Sequence, residues 1–560
     1  MAKEKRKAAG SAQASAPATS GNEVEARALA RMLRRAKGFA LGIAAANAPS
    51  LRRAMVEEIR RLCPEKRISE LALDGPISSL LSVIEEKFGF GPQLDTLFVC
   101  GLENSISGGE GYAPIFGNLN LTRNLFPEKC PYPIVLWLPQ YAIGRLSRYA
   151  PDFFSWRSGT YTFSLEPEEL RTYLAERLKD RKVFDNLTGA EKEDRVLALE
   201  EILGRVQDLP ADPRMLGEEI HVLDALGALH LSLGRYDRAA AVYREALENS
   251  KTLGSRAGEA AILHQLGITA EEQGNFPEAE RLYRESLAIA KSLGNRAGEA
   301  STLHQLGTVA LERGNLQEAE RLYRESLAIR QSLADYAGMV SVICQLGRIA
   351  QQQGNLLEAE QLYRESLGIQ RSLGNRAGEA VILHNLGLIA QKRGDLSQAE
   401  RLYRDSLVMT QTLGDRSREA ATMHQLGRIA QERGDFVEAE RLYRKSLAIA
   451  EALGDRGGES NSLHNLGVLA EERGDLLEAE RLYRESLAIK QSMGNRAGEA
   501  ATLHQLGIIA EDRGDLREAE RLLRESLTIA EEIGLKDAEI PRRSLERIIS
   551  RARFQQRQVT

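Results

Sequence analysis

Residues 256–295 read RAGEAAILHQLGITAEEQGNFPEAERLYRESLAIAKSLGN, and that wording returns with little change every 40 residues through more than half of the chain. The dipeptide Leu-Gly sets the count: it stands at Leu226-Gly227, Leu266-Gly267, Leu306-Gly307, Leu346-Gly347, Leu386-Gly387, Leu426-Gly427, Leu466-Gly467 and Leu506-Gly507, eight occurrences with no insertion between them. A second glycine follows seven residues later, from Gly234 to Gly514, and an alanine five beyond it, from Ala239 to Ala519. Four residues past the alanine comes a tyrosine, from Tyr243 to Tyr483, with Leu523 in the last repeat. A period of this size marks stacked units, none of which can bury its apolar face alone.

Each part of the repeat has a mechanical reading. Ala260, Leu263, Leu266, Gly267 and Ala270 share one face of a helix from about Arg256 to Gln273. Gly267 costs that helix about 1 kcal/mol relative to alanine, and a cost met in every repeat implies a neighbour too close for a Cβ. Gly274 ends the helix and Asn275 caps the next. The second helix, from about Phe276 to Leu293, buries Ala279, Leu282, Tyr283 and Leu287 and turns Glu280, Arg281, Arg284 and Glu285 outward. Gly294 closes the repeat, and Ser255, Asn295, Asp335, Asn375, Asp415, Asp455 and Asn495 are placed to cap the first helices that follow.

Composition bounds the rest. The chain has 560 residues, 42% of them hydrophobic, enough for more than one core. Aromatics are only 5%, so Ala, Leu and Ile carry the packing, which suits close-stacked helices. A formal charge of −5 argues against general nucleic-acid binding. Cys63, Cys100, Cys130 and Cys344 form no C-x-x-C pair and read as free thiols of a reducing compartment. No apolar run is long enough to span a membrane, and the basic start Lys3-Glu4-Lys5-Arg6-Lys7 is not followed by a signal-peptide core. A cytoplasmic location is the expectation, and no cofactor or metal is implied.

The fold class expected is therefore multidomain: an N-terminal α/β domain with a mostly parallel sheet, followed by an all-α solenoid. Residues 1–22 form a disordered basic tail, 23–165 a Rossmann-like or degenerate P-loop-like α/β domain, and 166–217 a helical linker with a helix from Glu191 to Leu209 and a break at Pro210 to Pro213. Residues 218–534 hold the eight repeats. Residues 535–560 form a capping helix and tail, with a break at Pro541 ahead of an arginine-rich helix that carries Leu545, Ile548 and Ile549 on one side.

In the front domain, strands are predicted at Phe39–Ala45, Ile68–Leu73, Leu94–Cys100, Ile134–Leu138 and Thr160–Phe163. Helices are predicted at Ser50–Leu62, Ile77–Phe88, Leu119–Phe126 and Tyr141–Tyr149. Ligands of such sheets sit beyond the strand C-termini, which points to the segments Asn47–Ser50, Gly101–Gly111 and Pro139–Tyr141. A phosphate loop of the form G-x-x-x-x-G-K-[ST] is absent from the chain. After the first strand stands Ala46-Asn47-Ala48-Pro49-Ser50-Leu51-Arg52, which lacks both the glycines and the lysine. Gly108-Gly109-Glu110-Gly111 could approach a phosphate but reads more simply as a loop.

The Leu, Gly, Gly, Ala and aromatic offsets resemble the tetratricopeptide repeat, here lengthened from about 34 residues to 40, as in kinesin light chains and Pins-type spindle regulators. The resemblance implies a right-handed superhelix whose concave groove, lined by the first helices, holds a peptide or protein. Matched residue by residue, the groove positions are His264, Gln265, His304, Gln305, Cys344, Gln345, Arg348, His384, Asn385, His424, Gln425, Arg428, His464, Asn465, His504 and Gln505, with Lys392 near the rim. Six of the eight histidines share one repeat position, which reads as structural bracing between repeats or as ligand contact. Adjacent equivalents stand about 10 Å apart, whereas zinc ligands must reach within about 2.1 Å of the ion, so the row does not read as a metal site. It could make stability or binding change between pH 5 and 7. Too few cations accompany the amides for a C-terminal carboxylate clamp. The repeat around Ala334–Gly354, with Tyr336, Met339, Cys344 and Arg348, departs most from the others, through drift or because it is a contact site.

The segments Leu97–Glu103, Asn118–Arg123 and Ile134–Pro139 resemble parts of bacterial STAND-type signalling ATPases, which often join their nucleotide module to a tetratricopeptide sensor. Asn47, Arg52, Glu103 and Arg123 are the candidate ligand cleft that this resemblance implies. Two functional classes follow. One is an adaptor whose groove holds a peptide or protein while the front domain recruits or oligomerises, the chain self-associating or not. The other is a nucleotide-gated signalling or defence regulator with residual nucleotide binding. No nucleophile-base pair or other complete catalytic motif is present, so an enzyme is not expected.

Overall fold

The computed structural model describes residues 21–106, 113–165, 169–170, 187–208, 213–535 and 538–559. The glycine cluster at 108–111, the break at Pro210 and almost all of the expected basic tail lie outside them. The chain divides into two compact units, residues 1–309 and 310–560, within the helix Arg296–Glu312.

The first unit opens with α1 (Gly21–Arg35) and then alternates β1 (Ala40–Ala45), α2 (Pro49–Leu62), β2 (Ile68–Ala72), α3 (Leu80–Phe88), β3 (Thr96–Cys100), α4 (Pro114–Thr122), β4 (Pro133–Leu138), α5 (Gln140–Tyr149) and β5 (Arg157–Thr162). The five strands form a wholly parallel sheet in the order β2-β3-β4-β1-β5. Pro133–Leu138 is buried at every position, as a strand covered on both faces must be. On one face Leu41, Ile43, Val99 and Leu136 pack under α3, α4 and α5. On the other, Ala44, Phe98 and Trp137 pack under α1 and α2, and Trp137 stacks on Phe163 at 5.4 Å.

Two of the expected helices shift for local reasons. The helix expected at Leu119–Phe126 begins earlier, at Pro114, because proline suits the first turn, where its missing N–H would be unpaired anyway. It ends at Thr122; a 3₁₀ turn at Arg123–Leu125 and a helical turn at Phe126–Lys129 carry the chain on past Pro127. Helix α3 starts at Leu80 rather than Ile77, where Ser79 Oγ accepts from Ser82 N at 3.3 Å.

Each repeat is a pair of helices, for example Arg256–Glu272 with Phe276–Ser292 in the second and Arg416–Glu432 with Phe436–Leu453 in the sixth. The caps form as the sequence requires: Asn375 Oδ1 accepts from Gly378 N at 3.0 Å, and Asp435 Oδ1 from Glu438 N at 3.1 Å. The neighbour that forces glycine into the first helix is the tyrosine ring of the same repeat. A Cβ on Gly387 or Gly427 would stand 2.7 Å from Cε1 of Tyr403 or Tyr443. The glycines closing each repeat have positive φ; in the third repeat Ala334 takes that place at φ 53°.

The final helix, Glu539–Val559, contains Pro541 in its first turn, so the break expected before the helix is absent. Proline is tolerated there because no intrahelical donor is lost. Ile548 is fully buried and Leu545 and Ala552 pack beside it on the eighth repeat.

Candidate functional site

The histidine row has a definite structural setting. In the first unit His264 Nδ1 lies 3.2 Å from Thr302 Oγ1 of the next repeat, and its ring is 5.4 Å from that of Tyr283. In the second unit His384 Nδ1 is 3.1 Å from Thr422 Oγ1, and His464 Nδ1 is 3.4 Å from Thr502 Oγ1. His424 Nε2 accepts from Asn465 Nδ2 at 2.7 Å. Each of these imidazoles thus lies against its own tyrosine and ties its first helix to the next. Burial pushes His264, His384, His424 and His464 down to about 4, with Arg418, Arg428 and Lys490 adding like-charge repulsion at the latter three in turn. His504 is lowered as well, mainly by burial. Cys344, in the same row, has its Sγ 3.5 Å from Ser366 Oγ within its own repeat, and burial raises its thiol.

The end of the array reuses the same positions. His504 Nε2 lies 3.1 Å from Ser544 Oγ of the last helix. Glu511 occupies the position that meets a tyrosine hydroxyl in repeat seven, where Tyr483 donates to Glu471 at 2.8 Å. With Leu523 replacing that tyrosine, Glu511 instead receives Arg547 at 2.7 Å and Arg551 at 3.2 Å. The last helix therefore docks where the first helix of a ninth repeat would lie.

Beside the histidines, Gln345, Asn385 and Gln425 are half-buried, while Arg348, Lys392 and Arg428 are exposed. Gln265, Gln305 and Gln505 are also half-buried; Gln505 Oε1 is 3.2 Å from His504 Nδ1, and Asn465 is engaged with His424. A second line of contacts, which the sequence reading missed, runs one turn further along. Tyr403 donates to Gln391 Oε1 at 3.4 Å, and Gln391 Nε2 donates to Glu432 at 2.7 Å. One repeat later Tyr443 donates to Gln431 Oε1 at 3.0 Å, and Gln431 Nε2 to Glu472 at 3.2 Å. Its signal was the Gln or Glu recurring at 351, 391, 431 and 471, twelve residues before each tyrosine.

In the α/β domain the four candidate residues do not form one cleft. Asn47, after β1, accepts from Gln140 N at 3.0 Å and donates to Glu201 Oε1 at 2.7 Å, on α6 (Gly189–Asp208). Glu103 follows β3; burial raises its carboxyl and the nearby Arg52 guanidinium opposes the rise. Arg123 is at the opposite edge of the sheet. It pairs with Asp152 at 3.1 Å and donates to Asn120 O at 2.8 Å, next to Phe126, whose ring lies 5.9 Å from Phe39, the residue just before β1. The cause is directional: α4 runs back from the C-terminal edge of β3 and ends beside the N-terminal edge of β4. An open cleft of about 730 Å³ lies instead between α5 and α6, lined by Gln140, Tyr141, Arg145, Glu193, Glu201 and Arg235. Arg145, from its lining, pairs with the buried Asp194 at 3.2 Å. Among the described residues no group of three or more potential metal ligands occurs, all four cysteines are free, and no helix is long and apolar enough to cross a membrane.

Tetratricopeptide-repeat family models match residues 222–257, 258–332, 338–412, 418–492 and 500–533. The chain belongs to the tetratricopeptide-repeat family. No curated protein is matched by its sequence. Among solved structures, apo RapI is similar over 66% of this chain and 99% of its own, at 13% identity and a TM-score of 0.53. A signal-transduction ATPase with numerous domains and a tetratricopeptide repeat sensor, from Pyrococcus horikoshii, is similar over 91% of this chain and 97% of its own, at 12% identity and a TM-score of 0.45. Tetratricopeptide-like repeats of a kinesin light chain from Podosopora anserina match over 36% of this chain and 99% of theirs, at 20% identity and a TM-score of 0.32. At these identities the RapI likeness concerns the helical-repeat fold alone.

Proposed function

We propose that the protein is a non-enzymatic adaptor, holding a peptide or protein partner against the first helices of its repeats while the α/β domain recruits or oligomerises. One contrast carries the reading. The outward faces of the second helices neutralise themselves through Arg281–Glu278, Arg481–Glu478 and Arg521–Glu518 pairs at 2.6–2.7 Å. The first helices of repeats four to six instead present half-buried amides and exposed cations at Gln345, Arg348, Asn385, Lys392, Gln425 and Arg428. Half-buried amides with spare donors and acceptors suit the backbone of an extended chain. A nucleotide-gated regulator is the weaker reading, because the loop after β1 offers no phosphate-binding glycines or lysine and its Asn47 is held by Gln140 and Glu201.

The test is affinity capture from native extract with the intact chain, with the triple variant Gln345→Ala, Asn385→Ala and Gln425→Ala, and with an outer-face control, Arg441→Ala. A partner lost only from the triple variant supports groove recognition. A partner retained by it moves recognition to the α/β domain or the outer helices.

A further inference from the structure

The second line of contacts in the second unit has a gap, and the gap is chemically specific. In repeats five to seven the register brings Gln391 to Glu432 and Gln431 to Glu472. The same register sets Gln351 against Lys392. An ammonium has three donors and no acceptor, so Gln351 Nε2 has no carboxylate to donate to there. One helical turn before Gln351 stands Arg348. Its counterpart in repeat six, Arg428, has Glu432 one turn on at 3.9 Å and Gln425 at 3.4 Å, whereas after Arg348 that place holds Gln352.

Two substitutions together thus remove the carboxylates, and among the described residues no ion pair is formed by Arg348 or Lys392. Both are exposed. In repeats seven and eight the matching positions hold Val468, Glu471 and Glu472, then Ile508, Glu511 and Asp512, so the cations do not continue along the face. Like charges in adjacent repeats repel, and a carboxylate placed between them reverses the sign of that interaction.

We propose that the junction of repeats four and five recognises an acidic segment of the partner, with Asp or Glu side chains meeting Arg348 and Lys392. This rests on the groove reading above and gives the bound chain a register: acidic residues at repeats four and five, neutral or basic ones toward Glu471, Glu472 and Asp512. The chain's net charge of −5 disfavours attachment of an acidic peptide elsewhere.

The test uses the full chain at low salt, a fluorescein-labelled deca-glutamate peptide as probe, and deca-glutamine as the neutral comparison, read by fluorescence anisotropy. The variant Arg348→Glu with Lys392→Glu weakens deca-glutamate binding at least tenfold. Arg401→Glu with Lys445→Glu, the same charge change on outward second helices, alters it less than twofold. Circular dichroism verifies that both variants fold. No binding of deca-glutamate, equal binding of deca-glutamine, or equal loss in both variants overturns the proposal. If deca-glutamate ignores the Arg348 and Lys392 reversal while the Gln345, Asn385 and Gln425 variant still loses its partner, the charge inference fails and the groove reading stands.

Discussion

Replacing His384, His424 and His464 with glutamine should remove a pH dependence that these three residues impose on the second unit. Their folded values of about 4 lie well below the ordinary 6.5, chiefly through burial. A depressed histidine contributes its full stability above the unfolded value and loses it as pH falls from about 6.5; the loss ends near pH 4, where the folded ring takes its proton. At pH 5.5 an unfolded imidazole is about nine-tenths protonated while the folded one stays neutral, a cost of about 1.3 kcal/mol each relative to pH 7.5. Three such rings give about 4 kcal/mol. Carboxylates titrate alike in both chains, so the quantity to measure is the difference between native and triple variant in urea-unfolding free energy at pH 7.5 and 5.5. The native chain should lose about 4 kcal/mol more. Equal losses, or imidazole resonances titrating near pH 6.5 by NMR, would refute the reasoning.

Gly427→Ala pushes a methyl to 2.7 Å from the Tyr443 ring and should cost about 1–3 kcal/mol, read as a lower thermal midpoint; an unchanged midpoint would contradict this. Ala334→Gly should stabilise the chain by about 0.5–1 kcal/mol, since the left-handed penalty at φ 53° exceeds the entropy glycine adds to the unfolded state; a lower urea midpoint would contradict this. Glu511→Gln leaves Arg547 and Arg551 without their buried carboxylate. It should loosen the last helix by about 1 kcal/mol, seen as roughly fivefold faster hydrogen exchange around Leu545–Ala552 with the sixth repeat unchanged.

The repeats were legible because a 40-residue period copied eight times turns each local signal into a test of itself. Caps such as Asn375 and Asp415 could be named from spacing alone, and their side chains accept from Gly378 and Arg418. The sheet strands were legible from unbroken apolar runs such as Ile134–Leu138. What failed to show was where distant segments meet. Arg123 looked like a companion of Glu103, but nothing in sequence says at which edge of the sheet a helix ends. The Gln391–Glu432 contact spans 41 residues, one more than the repeat, so comparing equivalent positions could not reveal it.

A partner chain is expected to lie against the first helices of the repeats. A photo-crosslinking side chain introduced at Asn385, and separately at the outward-facing Arg404, tests it most directly in native extract. A covalent partner adduct is expected from position 385, its crosslinked peptide rich in Asp or Glu, and none from position 404. An adduct formed only from position 404 would contradict it.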